Sequence, residues 1–168
     1  MPIVLSRIDD RLIHGQVVEG WMKAIPVSSV IVVSDKLSRD RMGQAMMSMA
    51  VPDSVKVESL SIDDTVARYT GGGFSAERMM LLFSNPGDVR RLLEKGVLLD
   101  SVNVGGMHFS QGKYKVTSSI NVNDEDIRDI LAIAGKGVEL ETRVFPGDDK
   151  MNIVPLLTKL INSAILFV

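Results

Sequence analysis

Short apolar runs that alternate with stretches of helical periodicity predict an α/β chain: a single domain, residues 1–168, with a mostly parallel central sheet of about seven strands and helices on both faces. Two further observations support this reading. Met79-Met80-Leu81-Leu82-Phe83 is continuously apolar, as a strand covered on both faces must be. No Pro-, Gly- or Ser-rich linker divides the 168 residues, a length at which one domain buries roughly 68–70% of its unfolded surface.

The elements follow in order. Ile3-Val4-Leu5 reads as a buried strand, and Val17, Val18, Trp21, Met22 and Ile25 mark the apolar face of a first helix that ends before Pro26. Val30 to Val33 is the second strand. Ser38 is the expected cap of a helix whose Met42, Ala45, Met46, Met49 and Ala50 share one face, a methionine stripe expected to fill core. Val55-Lys56-Val57 alternates as a third strand. Ser61 caps the next helix, through Ile62, Val66 and Tyr69, and Gly71-Gly72-Gly73 breaks it. After the apolar fourth strand, Asn85 as cap, Pro86 at the first helical position and Asp88 make a well-formed helix start, closed by Gly96. Ser101 to Val104 is the fifth strand and Ile120 to Val122 a short sixth. Asn123 with Asp124, Glu125 and Asp126 starts a helix, Val138 to Val144 reads as a last strand, and Pro155 sits within the first turn of a closing helix.

Composition removes several function classes. A net charge of −2 and a sequence pI near 5.7 give no footprint for nucleic acid. The chain has no cysteine and two distant histidines, so neither a disulfide framework nor a zinc site is expected. No signal peptide and no stretch of ~20 apolar residues is present, which predicts a soluble, cytoplasmic chain. Neither triple glycine nor Gly105-Gly106 belongs to a Walker or dinucleotide fingerprint.

The chemistry concentrates in Ser6 to Gln16, where two arginines, two aspartates and one of the two histidines fall within one predicted bend. Phosphoryl transfer asks for a positioned nucleophile and for cationic or N–H donors around the phosphoryl oxygens. His14 offers a nitrogen lone pair near neutral pH. Asp9 or Asp10 would hold its other nitrogen, and Arg7 and Arg11 would neutralise the incoming charge. A helix beginning at Gly15 or Gln16 would aim its free N–H groups at His14. Ordinary surface ion pairing is the plain alternative for this cluster. Three other strand ends supply candidate lips: Ser34-Asp35, Ser84-Asn85 and Gly105 to His108. Ser84 either donates to a phosphate oxygen or is an extra cap or solvated loop serine. His108 has no Arg or Asp next to it in the chain and is read as structural.

The run Arg7-Ile8-Asp9-Asp10-Arg11-Leu12-Ile13-His14-Gly15-Gln16-Val17 resembles, residue for residue, the active-site loop of IIB components of the mannose/fructose/sorbose family of the bacterial phosphoenolpyruvate-dependent sugar phosphotransferase system. Val32-Val33-Ser34-Asp35, Phe83-Ser84-Asn85-Pro86 and Val102 to Met107 also match the family pattern. The resemblance implies a phosphotransferase in which His14, through Nδ1, takes a phosphoryl group from a phosphohistidine of a IIA domain. It then passes the group to a sugar entering through membrane components IIC and IID. It implies Arg7 and Arg11 as charge neutralisers, Asp9 as the residue that orients the loop, and backbone N–H groups after Gly15, including that of Gln16, as phosphate ligands. No cofactor is implied. Location would be cytoplasmic, at the membrane permease. The alternative function is a regulatory module that binds phosphate or a metabolite without turnover. The chain declares no homo-oligomer, having no coiled-coil repeat and no obvious apolar stripe, and that state stays open, as does the identity of the sugar. Leu12 and Ile13 either contact the donor or pack the loop onto the sheet.

Overall fold

The computed structural model describes residues 3–74 and 78–165, and places them in one six-stranded sheet with helices on both faces. The strands are β1 (Ile3–Asp9), β2 (Ser29–Val33), β3 (Lys56–Leu60), β4 (Met79–Phe83), β5 (Ser101–Gly106) and, beyond a two-stranded ribbon, β8 (Glu139–Glu141). Their spatial order is β3-β2-β4-β1-β5-β8, and every pairing is parallel. The ribbon joins β6 (Tyr114–Lys115) to β7 (Asn121–Val122) antiparallel. The predicted sixth strand therefore leaves the main sheet, which has six strands and not seven. Ile120 touches the sheet through a single bridge to Met107, and β7 turns away to pair with a hairpin partner that two residues of sequence hardly announce. The last strand is also shorter than Val138 to Val144: Arg143 and Val144 lie beyond its end.

Right-handed crossovers fix which face each helix covers. The first helix, α1, is π-wound over Gln16–Trp21 and α-wound over Met22–Ala24; α2 is Arg41–Met49. These two cover one face, where Val17, Trp21 and Met22 pack with Val30, Val32, Met80 and Leu82. The other face carries α3 (Ile62–Thr70), α4 (Pro86–Glu94), α5 (Asp124–Gly135) and α6 (Ile153–Ile165), packed on Ile8, Ile31, Leu81, Phe83 and Val104. All five residues of β4 are buried, as its unbroken apolar run requires. Connections from β1 and from β4 run in opposite directions across the sheet, so the ends of these neighbouring strands form the switch point where α/β sheets bind ligands. Leu166, Phe167 and Val168, which follow Ile165 in the sequence, lie outside the described residues, as does the side chain of Ile165.

Local signals hold where they are local. The Ser61 side chain accepts from Asp64 N–H, that of Asn85 from Asp88 N–H, and Asn123 and Asp126 form a reciprocal capping box. Ser38 does not cap α2. Asp40 does, accepting from Gly43 N–H at 2.9 Å, while the Ser38 hydroxyl turns back to the Asp35 carbonyl.

The methionine stripe is a larger correction. Met42, Met46 and Met49 are 76, 66 and 87% exposed, and no residue of α2 is fully buried. Because α2 sits over the edge strand β3, it gives the core only a narrow side that includes Met47. Periodicity finds the apolar face of a helix, but a neighbour must exist to cover it. Met46→Lys is accordingly expected to change stability by less than about 0.5 kcal/mol, whereas Met47→Lys costs more. Urea unfolding of the two variants checks this, and a large loss at Met46 would contradict the exposed placement.

Candidate active site

Strand β1 is longer than its apolar opening suggests. It runs through Asp9, so Arg7 and Asp9 belong to the strand and not to a bend, and as alternate residues both point to the α1 side of the sheet while Ile8 points to the other. Both side chains are 0% exposed. The Arg7 guanidinium donates to Asp9 Oδ2 (2.8 Å), to the side-chain oxygen of Asn103 on β5, and to the Arg143 carbonyl (3.2 Å). Its carbon lies 5.4 Å from the Trp21 ring centre, and that of Arg143 lies 5.1 Å from the same centre. Gly105 makes this possible. A Cβ there would overlap the guanidinium itself.

Burial pulls the Arg7 pKa down and Asp9 only partly offsets that, yet an arginine starts so far above neutrality that the group stays charged. A charge buried this completely is tolerable only because its partner and hydrogen bonds are in place. Arg7 therefore does not meet an incoming phosphate as predicted: the guanidinium is out of solvent, and both terminal nitrogens are bonded within the protein while Nε has no partner among the described residues. It is a positioning residue for Asp9. Beside it, Arg143 is held by Glu141, which is buried and accepts from both its backbone and its guanidinium. Trp21 donates through Nε1 to the Val144 carbonyl. Asn103, Arg143 and Trp21 are supporting residues that sequence reasoning passed over. A lone tryptophan on a helix face reads as core, and Arg143 lies 136 residues from Arg7 in the chain.

Asp9 in turn holds His14. His14 Nε2 lies 3.0 Å from Asp9 Oδ2, and its side chain is 16% exposed. An ionised carboxylate only accepts, so Nε2 carries the hydrogen and Nδ1 keeps its lone pair. Nδ1 faces the backbone N–H of Gln16 at 3.4 Å, at the start of α1. Arg11 donates its backbone N–H to Asp9 Oδ1 (3.2 Å), and its half-exposed guanidinium makes only a long 3.9 Å approach to that oxygen. Arg11 is thus the arginine of the pair open to an anion. Gly15 has ordinary helical angles, and a Cβ there would meet nothing within 4 Å, so its place at the head of α1 leaves open space beside His14.

The turn between strand and helix is tight. Leu12 N–H donates to the Asp9 carbonyl (2.9 Å), and Leu12 takes φ +57°, a left-handed conformation that a leucine adopts only when its surroundings compel it. Its buried side chain packs with Val17 and Trp21, and Ile13 lies half-buried against them, which settles Leu12 as a packing residue.

Of the two aspartates, Asp10 does not touch His14. It accepts instead from the backbone N–H (2.7 Å) and Nδ1 (2.5 Å) of His108, while its own N–H donates to the Gly106 carbonyl (3.0 Å). The second histidine, with no acid beside it in sequence, has one beside it in space. At the remaining lips the side chains pair locally. Asp35 accepts from Ile62 N–H (2.9 Å) and from Arg91 (2.7 Å), which hold its carboxyl below the usual range. Ser84 sits at the end of β4, accepting from the Asn85 side-chain amide (3.2 Å), and no hydrogen bond from it to the His14 loop occurs among the described residues. Among those residues no group of three or more histidine, aspartate or glutamate side chains is placed to hold a metal.

Residues 3–164 match the family model described as PTS system sorbose subfamily IIB component. The chain is 41% identical over 160 residues to the PTS system mannose-specific EIIAB component of Escherichia coli (strain K12). That match covers 95% of the chain, which spans half the length of that relative. It is 38% identical to the PTS system fructose-specific EIIB component of Bacillus subtilis (strain 168), covering 94% of the chain and 96% of that protein. The crystal structure of the IIBSor domain of the Klebsiella pneumoniae sorbose permease superposes with a TM-score of 0.89 at 33% identity, covering 95% of the chain and 98% of that domain.

Proposed function

Since the chain belongs to the sorbose subfamily of IIB components of the phosphotransferase system, we propose that it is a phosphocarrier enzyme whose His14 accepts a phosphoryl group on Nδ1 and passes it to a sugar. The observation that carries this reading is the Asp9 to His14 contact, which leaves Nδ1 as the nucleophilic nitrogen. The donor is a phosphohistidine of a IIA domain, and the acceptor is a sugar presented by the IIC and IID membrane components. The chain works on the cytoplasmic face of that permease; no helix among the described residues is long and apolar enough to cross a membrane.

In the forward step, the Nδ1 lone pair attacks phosphorus as the P–N bond to the donor histidine breaks. Arg11 and the Gln16 N–H face the oxygens, whereas the Val17 and Val18 N–H groups donate to the His14 carbonyl. Asp9 stabilises the Nε2–H of the phosphorylated ring and is itself held by buried Arg7. The same kind of bond breaks and forms, so the step is near thermoneutral and reversible. Neither metal nor nucleotide enters this scheme.

The test is intact mass after incubation with phosphoenolpyruvate, the general phosphotransferase proteins and a matching IIA domain. Gain of one acid-labile phosphoryl group on the wild type is expected. No gain from a IIA domain shown to be charged would sink the carrier reading in favour of a non-catalytic binding module.

A further inference from the structure

Against Arg11 and Gln16, which flank His14 in the chain, the surface opens into a cleft of about 430 Å³ that the segment following β5 closes on the other side. Its walls include Arg11, Gln16, His108, Phe109, Ser118 and Ser119. The wall chemistry differs from that of a bare phosphate site. Phe109 is exposed and offers an apolar ring, the two serines offer hydroxyls, and the Gln16 side-chain oxygen has no hydrogen-bond partner among the described residues. A phosphate has nothing to donate to such an acceptor. A sugar brings hydroxyls that both donate and accept, together with C–H faces that sit on an aromatic ring.

His108 is the reactive group in that cleft. Asp10 accepts from its Nδ1, which by the argument used for His14 leaves Nε2 with the lone pair. The adjacent Asp9 and Asp10 therefore hold two oppositely wired imidazoles. Asp9 binds Nε2 of His14 and frees Nδ1, whereas the adjacent Asp10 binds Nδ1 of His108 and frees Nε2. Gln16 connects them: its backbone faces Nδ1 of His14 and its residue lines the cleft with His108.

We propose that this cleft receives the acceptor sugar and that His108 is the base for the outgoing transfer, an inference that rests on the carrier reading above. The sugar hydroxyl oxygen forms the new P–O bond as the P–Nδ1 bond of phosphorylated His14 breaks. The electron pair of the broken bond returns to Nδ1, and the hydroxyl proton passes to Nε2 of His108, from which it leaves to solvent. Asp10 is a positioning residue, holding the His108 ring and stabilising the imidazolium that forms. Uptake of the phosphoryl group from another histidine releases no hydroxyl proton and has no use for His108.

The experiment uses the full chain with its IIA donor and membrane vesicles carrying the sugar-specific components, and follows the two half-reactions separately. His108→Gln is expected to gain its phosphoryl group like the wild type and to deliver it to sugar about 10²-fold more slowly in a single turnover. His108→Ala is expected to recover part of its sugar-phosphate formation when imidazole is added, since the position is exposed enough for a small base to enter. Asp10→Asn should slow delivery, with Asp10→Glu restoring part of it. Delivery from His108→Gln at the wild-type rate would overturn this inference alone. So would failure of imidazole to rescue His108→Ala, or an equal loss of both half-reactions, which would assign the pair to holding the loop. A wild type that never acquires a phosphoryl group overturns the carrier reading and this inference together.

Discussion

His14→Ala and His14→Gln are expected to remain folded, to gain no mass from a charged IIA domain and to abolish sugar phosphorylation. Removing the imidazole takes away one of several hydrogen bonds to Asp9. Its carboxylate still accepts from the Arg7 guanidinium and from the Arg11 backbone N–H, so it is not left buried and unpaired. The cost in stability should therefore be about 1 kcal/mol, the net value of one hydrogen bond. The cost in function is total, because no other group in the site replaces the acceptor nitrogen. His108, the other histidine, is held by Asp10 and not by Asp9. The decisive readout pairs unchanged circular dichroism with intact mass. A His14 variant that still takes up an acid-labile phosphoryl group would place the acceptor elsewhere.

The second large effect concerns stability. Arg7→Ala is expected to destabilise the chain by about 3–5 kcal/mol, because it leaves Asp9 as an uncompensated charge with no exposure to water. In a domain of this size that corresponds to a fall in melting temperature on the order of 10 °C. Gly105→Ala should reproduce much of the loss from the opposite strand, since its Cβ would occupy the position of the guanidinium. The two changes attack one interaction, so they should not add. Once Arg7 is gone, alanine at position 105 has nothing to displace. Urea denaturation of both single variants and the double variant measures this coupling. Additive losses would mean that Gly105 is needed for some other reason than to admit Arg7. His14 loses its restraint in either variant, so phosphoryl uptake should fall with stability.

How much of this was legible in the sequence depends on the range of the interaction involved. Helix starts at Ser61, Asn85 and Asn123 were readable because a cap is satisfied three residues away. The alternation of strand and helix was readable for the same reason, and with right-handed crossovers it brings the β1 loop to the switch point of a parallel sheet. The density of charge in Ser6 to Gln16 marked that loop as the place for chemistry. It did not show that Arg7 and Asp9 are strand residues, since a buried arginine flanking a single isoleucine breaks the apolar pattern by which strands are recognised.

What the sequence by itself determined is thus the α/β layer architecture, the order of its elements and the loop in which the chemistry is concentrated. These follow from periodicity, capping and the chirality of the chain. Only the tertiary structure decided which charges are buried and which are open. Arg7 is hidden because Asn103, Arg143 and Trp21 close around it, and Arg11 remains open because no described residue closes around it in the same way. It also decided that Asp9 serves His14 while Asp10 serves His108, 98 residues away. The same holds for the methionine face of α2, which no described residue at the sheet edge covers. The physical reason is common to all three. Burial and pairing are properties of what arrives from elsewhere in the chain, and local sequence carries no record of its arrival.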